Sequence, residues 1–180
     1  MLKLITPNRT LEKELMAYQQ AFFRENQKHI AGSGGLDRIN TNYSFQEWLK
    51  KIEEDPTNRK EGRVPAMQYA LVNDENEPKI IGMLQLRLEL NDYLFRFGGH
   101  IGYSIHVSER KKGYGSKLLS LGLDKARDLK MDKLLITCTK GNIGSAKVIE
   151  KNGGRLENIL KDPQTKQEMK RYWITLKKSE

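Results

Sequence analysis

Between His100 and Lys130 the chain passes from two-residue alternation to helical spacing across a single turn, S-E-R-K-K-G-Y-G-S-K-L-L from Ser108 to Leu119. Before the turn, Ile101, Tyr103, Ile105 and Val107 share one face of a strand over His100–Val107, with Gly102, Ser104 and His106 on the other. After it, Leu118, Leu119, Leu121, Leu123, Ala126 and Leu129 recur at helical spacing over Tyr114–Lys130. Leu134 to Thr139 then reads as a second strand. A strand, a tight turn, a helix and a strand in that order predict a crossover between parallel neighbours.

The turn itself has the composition of a phosphate loop. Glycines admit close backbone approach and basic residues attract anions. Two familiar loops do not fit. In a P-loop the lysine follows the second glycine directly, but here Ser116 stands between Gly115 and Lys117. A dinucleotide fingerprint needs a third glycine where Leu118 stands, and an acidic residue where the next strand ends in Cys138-Thr139. What remains is a basic turn and Gly-x-Gly opening a helix, whose first amides are unpaired at the positive end of the helix dipole. A pyrophosphate fits there, held by N–H groups from about Lys112 to Ser116 with Lys111 or Lys112 adding charge.

The charge distribution agrees. Residues 1–90 carry 13 Lys+Arg and 13 Asp+Glu, whereas residues 91–180 carry 19 and 10, so the net +9 lies entirely in the half that holds the turn. An anionic ligand is expected there, either a phosphorylated cofactor or nucleic acid. No basic block is interleaved with aromatics as in a single-strand stacking platform, which makes nucleic acid the weaker expectation.

The remaining chain reads as one domain over residues 1–180. Leu2–Thr6 reads as a short strand, and Thr10 caps a helix with Leu11, Leu15, Tyr18 and Phe22 on one face. Gly32-Ser-Gly-Gly35 interrupts, and residues 27–44 are expected to form a mobile substrate loop. Ser44 caps a second helix bearing Phe45, Trp48, Leu49 and Ile52, which ends at Asp55-Pro56. Ala66–Val72 and Lys79–Leu88 form a hairpin, Ile143–Lys151 a helix and Met169–Leu176 a last strand. The fold class is therefore mixed α/β: a largely antiparallel sheet with one parallel pair, flanked by helices.

No run approaches the roughly 20 apolar residues of a membrane span, so no membrane partner is expected. The start, M-L-K-L-I-T-P, is too short for the apolar region of a signal peptide. The single cysteine, Cys138, fits a reducing compartment, and the cytoplasm is the expected location. Three scattered histidines and one cysteine give no metal-ligand spacing.

Two motifs together carry a resemblance. Ile105-His-Val107-Ser-Glu-Arg110-Lys-Lys-Gly113-Tyr-Gly115 resembles the acetyl-coenzyme A signature of the GNAT acetyltransferase superfamily. Asn142-Ile-Gly-Ser145, running on to Gly153, is similar to the Asn-x-x-Ser helix on the other side of the coenzyme in that superfamily. Val64-Pro65, Ile80-Ile-Gly82, Leu86-Arg87, Gly98-Gly-His-Ile-Gly-Tyr103 and Arg171-Tyr-Trp-Ile174 resemble a subgroup of predicted bacterial acetyltransferases.

The resemblance implies a GNAT-type N-acetyltransferase with acetyl-coenzyme A as co-substrate, no metal, and an acetyl-coenzyme A core at residues 100–153. It places the coenzyme on Ile105, His106, Val107, Arg110, Lys111, Lys112, Gly113, Tyr114, Gly115, Ser116, Asn142 and Ser145, with the pantetheine pairing along Ile105–Val107 like an added strand. The acceptor is an amine of a small molecule, peptide or protein N-terminus, attacking directly. A homodimer is one of the partners the resemblance allows. Many members carry a tyrosine seven residues after the motif asparagine, where this chain has Ile149, and the variant without it resembles the branch that acetylates ribosomal-protein amino termini.

The proton donor is accordingly sought elsewhere. Ser145 and Tyr103 are the catalytic candidates, while His100, Tyr103 and Arg87 are the substrate candidates. Each has a plainer reading: Ser145 or Asn142 as a helix cap, and Tyr103 as a core residue roughly 13 Å along the strand from Val107. Cys138 reads as a small buried hydrophobe, and His29 and His106 carry little signal as reactive groups. The rivals to catalysis are a coenzyme A-binding module without activity and a nucleic-acid binder using the basic second half.

Overall fold

A computed structural model describes residues 1–176; the last four residues of the expected domain lie outside the described residues. The strands are β1 (Leu2–Ile5), β2 (Ala66–Asn73), β3 (Lys79–Arg87), β4 (Ile101–Ile105), β5 (Lys133–Thr139), β6 (Arg155–Lys161) and β7 (Glu168–Thr175). The helices are α1 (Glu12–Arg24), α2 (Phe45–Glu54), α3 (Tyr114–Asp128) and α4 (Ile143–Lys151). No helix among the described residues is long and apolar enough to cross a membrane.

The strands form two antiparallel sheets, β1-β2-β3-β4 and β5-β7-β6. Alternation on β2 and β3 sends side chains to two cores. Ala70, Val72, Ile80 and Met83 meet Leu15, Tyr18, Phe22, Trp48 and Ile52 of α1 and α2. Leu71, Leu84, Leu86 and Ile101 meet Leu118, Leu119 and Leu123 of α3, Ile149 of α4, and Leu134, Ile136 and Tyr172 of the second sheet. Each such large side chain contributes about 1.5–3 kcal/mol of transfer free energy on burial, which locks the helices to their faces.

Local signals account for most boundaries. Ser44 and Glu47 form a reciprocal capping box at α2. Thr10 does not cap α1 as expected: it lies in a 3-10 turn at Arg9–Leu11, which Asn8 caps by accepting the Thr10 N–H at 2.9 Å, and α1 follows from Leu11 with no side-chain cap. Two elements carried no sequence signal. Leu94–Gly98 makes a π-helical turn, and β6 is an edge strand whose side chains are almost all exposed, so no apolar alternation marks it.

The expected parallel pair differs most. β4 and β5 share no ladder, and each belongs to its own sheet. They touch at one end: the His100 N–H donates to the Leu135 carbonyl at 2.7 Å, the Leu135 N–H donates to His100 Nδ1 at 2.9 Å, and an isolated bridge joins Gly99 and Ile136. Beyond that contact, residues of both strands line an open cleft.

Candidate active site

The cleft begins with an unpaired strand edge. Gly82 pairs with Ile105 and Leu86 with Ile101, while the Arg87 N–H bonds the His100 carbonyl at 2.7 Å and the His106 N–H the Ile81 carbonyl at 2.8 Å. In this register the backbone groups of residues 100, 102, 104 and 106 face β3, and those of Tyr103 and Ile105 face the cleft. His106 therefore has its backbone turned inward. Its imidazole Nδ1 accepts the Ser108 N–H at 3.2 Å, and its ring packs edge-on against Tyr18 with centroids 5.6 Å apart.

The basic turn continues that edge. The chain turns through a short 3-10 segment at Val107–Glu109, takes a positive φ at Lys111, and opens α3 at Gly113 with φ 85°. Among the described residues, no acceptor bonds any N–H from Lys111 to Ser116. These amides converge at the positive end of α3, so the backbone suits a pyrophosphate. A Cβ at Gly113 would meet nothing within 4 Å, leaving that side open. At Gly115 a Cβ would lie 3.3 Å from Val148 Cγ2, so this glycine also lets α3 close on α4.

The basic side chains are less free than their number suggests. Glu109 binds Lys79, and also Lys112 at 2.9 Å, and these hydrogen bonds push its carboxyl down to about 2. Arg110 turns back from the loop: its guanidinium donates to the Ile105 carbonyl at 3.3 Å and to Gln27 at 2.8 Å, and lies over the Phe22 ring.

A cavity of about 740 Å³ opens beside the β4 edge. Residues 29–35 with Asp37 and Arg38 form one wall, Gln85 and Arg87 of β3 another, and Tyr103, Thr137, Cys138, Asn142 and Ser145 the side nearest α4. Residues 29–38 of the expected substrate loop thus reach the site, and several groups of the 27–44 segment are tied to the rest of the fold. Ile30, Leu36 and Ile39 are buried. The Gly32 carbonyl accepts from Gln68 at 2.7 Å, the Gly34 carbonyl from the Trp48 indole at 3.1 Å, and the Gly35 carbonyl from Tyr43 at 2.6 Å. Gly32, with φ +68°, crosses β4 so closely that a Cβ there would lie 2.2 Å from the Gly102 carbonyl oxygen.

Tyr103 and Ser145 meet in this cavity, with their hydroxyl oxygens 2.9 Å apart. Asn142 takes the cap of α4 through the Ser145 N–H at 3.0 Å, which leaves the Ser145 hydroxyl free for Tyr103. Burial raises the Tyr103 pKa, and the Ser145 bond only partly offsets that, so the phenol is neutral near pH 7. Cys138 is buried and its thiol is likewise pushed up by burial, which agrees with an inert residue.

The three substrate candidates separate. Tyr103 and Arg87 line the cavity; His100 does not. Burial lowers the His100 pKa to about 4, and its ring accepts the Leu135 amide, so it is a neutral clamp between the sheets. Sequence reasoning passed over His29, whose Nδ1 lies 3.0 Å from Asp37 Oδ2 in the cavity wall. The spacing of eight residues within an irregular segment gave no periodic signal. Among the described residues no cluster of His, Cys, Asp or Glu gathers that could hold a metal ion.

A family model described as an acetyltransferase (GNAT) domain matches residues 9–155. The chain belongs to the GNAT acetyltransferase family. It is an enzyme of the acyltransferase class, and its mixed α/β domain is the GNAT fold.

Solved GNAT structures share that fold at low identity. The spermidine N-acetyltransferase of Vibrio cholerae, solved with CoA and spermine, is 17% identical with a TM-score of 0.65, over 97% of this chain and 95% of that one. An acetyl transfer enzyme of Salmonella typhimurium that modifies the N-terminal serine of a 50S ribosomal subunit protein is also 17% identical, with a TM-score of 0.65 over 98% and 95%. The ribosomal-protein-S5-alanine acetyltransferase of Vibrio fischeri is 19% identical, with a TM-score of 0.66 over 97% and 91%. No curated protein sequence gives a match.

Within this GNAT domain, the helix position where many members carry tyrosine is closed. Ile149 is fully buried, and a Cβ on Gly154 would lie 2.4 Å from its Cγ2. A hydroxyl one turn earlier, on Ser145, is the polar group that α4 presents to the cavity instead.

Proposed function

We propose that the protein transfers the acetyl group of acetyl-coenzyme A to an amine by direct attack. The observation that carries the reading is that the N–H groups of Tyr103 and Ile105 on the outer edge of β4, and those of Lys111–Ser116 in the turn that follows, take no partner among the described residues, with Tyr103 lining the cavity. The amides of residues 111–116 hold the pyrophosphate, with Lys111 adding charge. The Ile105–Val107 edge pairs with the pantetheine, and Asn142 and Ser145 lie along its far side. Bound there, acetyl-coenzyme A supplies an activated thioester.

The chain's own groups then manage protons and charge. The acceptor nitrogen must be neutral, and His29, its ring oriented by Asp37, takes the proton from the incoming ammonium. The nitrogen forms the C–N bond while the C–S bond breaks. A cleft-facing N–H of Tyr103 or Ile105 stabilises the developing oxyanion. The acylated nitrogen gives up its second proton to the hydroxyl pair Tyr103–Ser145 as the pair passes one on to the leaving sulfur, so the pair ends as it began. Residues 27–44 form the acceptor wall, and the cytoplasm is the working compartment.

The test is thiol release from acetyl-coenzyme A with a panel of small, peptide and protein amines, beside calorimetry with coenzyme A. Amine-dependent release supports the reading. Coenzyme binding without release from any amine leaves a binding module, and nucleic-acid affinity that falls steeply with salt in place of coenzyme binding overturns it.

A further inference from the structure

The cavity wall carries three cations, Arg38, Lys51 and Arg87, and one carboxylate, Asp37. The carboxylate is already engaged, accepting from His29 at 3.0 Å and from the Ile30 N–H at 3.1 Å. Lys51 is neutralised from outside the cavity by Asp55 at 2.8 Å. Arg38 and Arg87 form no ion pair among the described residues.

Arg87 is the more telling of the two. Its side chain leaves β3 beside Gln85 and is largely withdrawn from water, and this burial lowers its pKa. One arm of the guanidinium, Nη1, donates to the carbonyls of Gly99 at 2.8 Å and Gly98 at 3.4 Å. No acceptor on the chain bonds Nε or Nη2 among the described residues. Nη2 lies against Gly102, 4.0 Å from where a Cβ there would sit, so the missing side chain leaves that arm open. Removing a cation from water without a counter-charge is costly, and a guanidinium with one fork fixed by backbone carbonyls and the other free is oriented for a planar anion. Ser33, in the same cavity wall, is 1% exposed and its hydroxyl has no partner. A second polar group is thus left unsatisfied beside the same space.

We infer that the acceptor is an amine that carries a carboxylate, of amino-acid or dipeptide size, and that Arg87 binds this carboxylate while the amino group points to Tyr103 and Ser145. This rests on the acetyl-transfer reading above and names its substrate class. The charge of the wall opposes a polyamine, which would bring several cations to a surface that already has an excess of them. A protein N-terminus lacks a carboxylate near its amine unless an acidic side chain follows it.

The experiment compares free amino acids and dipeptides, the same compounds amidated at the carboxyl end, and spermidine. Thiol release and calorimetric binding to the coenzyme A-saturated protein are both read. The expected result is at least about tenfold higher kcat/KM for acids over amides, with no turnover of spermidine. Arg87→Gln should raise KM for the acid about ten- to a hundredfold and abolish the acid-over-amide preference, with coenzyme A affinity unchanged. Should Arg87→Gln fail to fold, the acid and amide comparison on the unaltered protein decides alone. Equal use of acids and amides, or preferential use of spermidine, overturns the inference while acetyl transfer stands. Acid-selective binding with no thiol release from any amine overturns acetyl transfer and upholds the carboxylate site; no release and no acid selectivity overturns both.

Discussion

The Tyr103 hydroxyl on β4 lies 2.9 Å from the Ser145 hydroxyl on α4, across the cleft where the two sheets part. The two proton-donor candidates are therefore one unit rather than alternatives. A serine alone is a weak acid, but a serine bonded to a neutral buried phenol can pass a proton along the pair.

Removing either hydroxyl should break the same relay. Ser145→Ala and Tyr103→Phe are each expected to lower kcat about 100-fold, the lower end of general acid–base effects, with little change in coenzyme A affinity. The double variant should be no worse than the poorer single one, as for residues that act as a unit. Single-turnover thiol release measures this, and fully additive losses would separate the two roles.

The phosphate loop makes a graded prediction. Gly113→Ala places an L-residue at φ 85° with nothing to clash with, so it should cost about 1–2 kcal/mol of stability from backbone strain. Its methyl projects into the open side of the loop and should weaken coenzyme A binding. Gly115→Val should lose both binding and stability, because its side chain meets Val148. Lys112→Ala should weaken binding less, since that ammonium is already held by Glu109 at 2.9 Å. Unchanged calorimetric affinity in both glycine variants would remove the loop from the site.

His100 sets a pH dependence of stability. Its folded pKa is about 4 against 6.5 for a free imidazole, so between those values the unfolded chain binds more protons. Stability should therefore fall as pH drops from about 6.5 toward about 4. His106 shifts in the same direction and His29 in the opposite one, so the comparison is between the unaltered protein and His100→Gln. A glutamine can accept the Leu135 amide without titrating. Urea midpoints across that range should depend less on pH in the variant; equal slopes would show that the imidazole does not titrate with unfolding.

Restoring the tyrosine common in the family should fail here. Ile149 is fully buried and Gly154 packs on it, so Ile149→Tyr overfills the core and should cost about 1–3 kcal/mol, visible as a lower Tm. It should not rescue Ser145→Ala, because the ring has no open path to the cavity. Recovery of turnover would show that α4 can shift to admit it.

What the sequence determined by itself was whatever local spacing encodes. The turn from Ser108 to Leu119 specified a strand, a phosphate-suited loop and a helix because glycine placement and apolar period are local properties of the chain. Ser44 and Glu47 announced α2 for the same reason. Arg87 and Tyr103 were legible as candidates, but not what each one faces. Only the tertiary structure decided that His100 clamps β5 instead of lining the cavity, that Asn142 takes the α4 cap and frees Ser145, and that residues 27–44 are fastened across Gly102. It alone left Arg87 without a counter-charge and brought His29 to Asp37. Contacts of this kind join residues far apart in the chain, 42 positions for Tyr103 and Ser145, and depend on how the two sheets part. α3 packs on the first sheet, α4 on β5 of the second, and the two helices on each other, an arrangement that no short window of sequence contains.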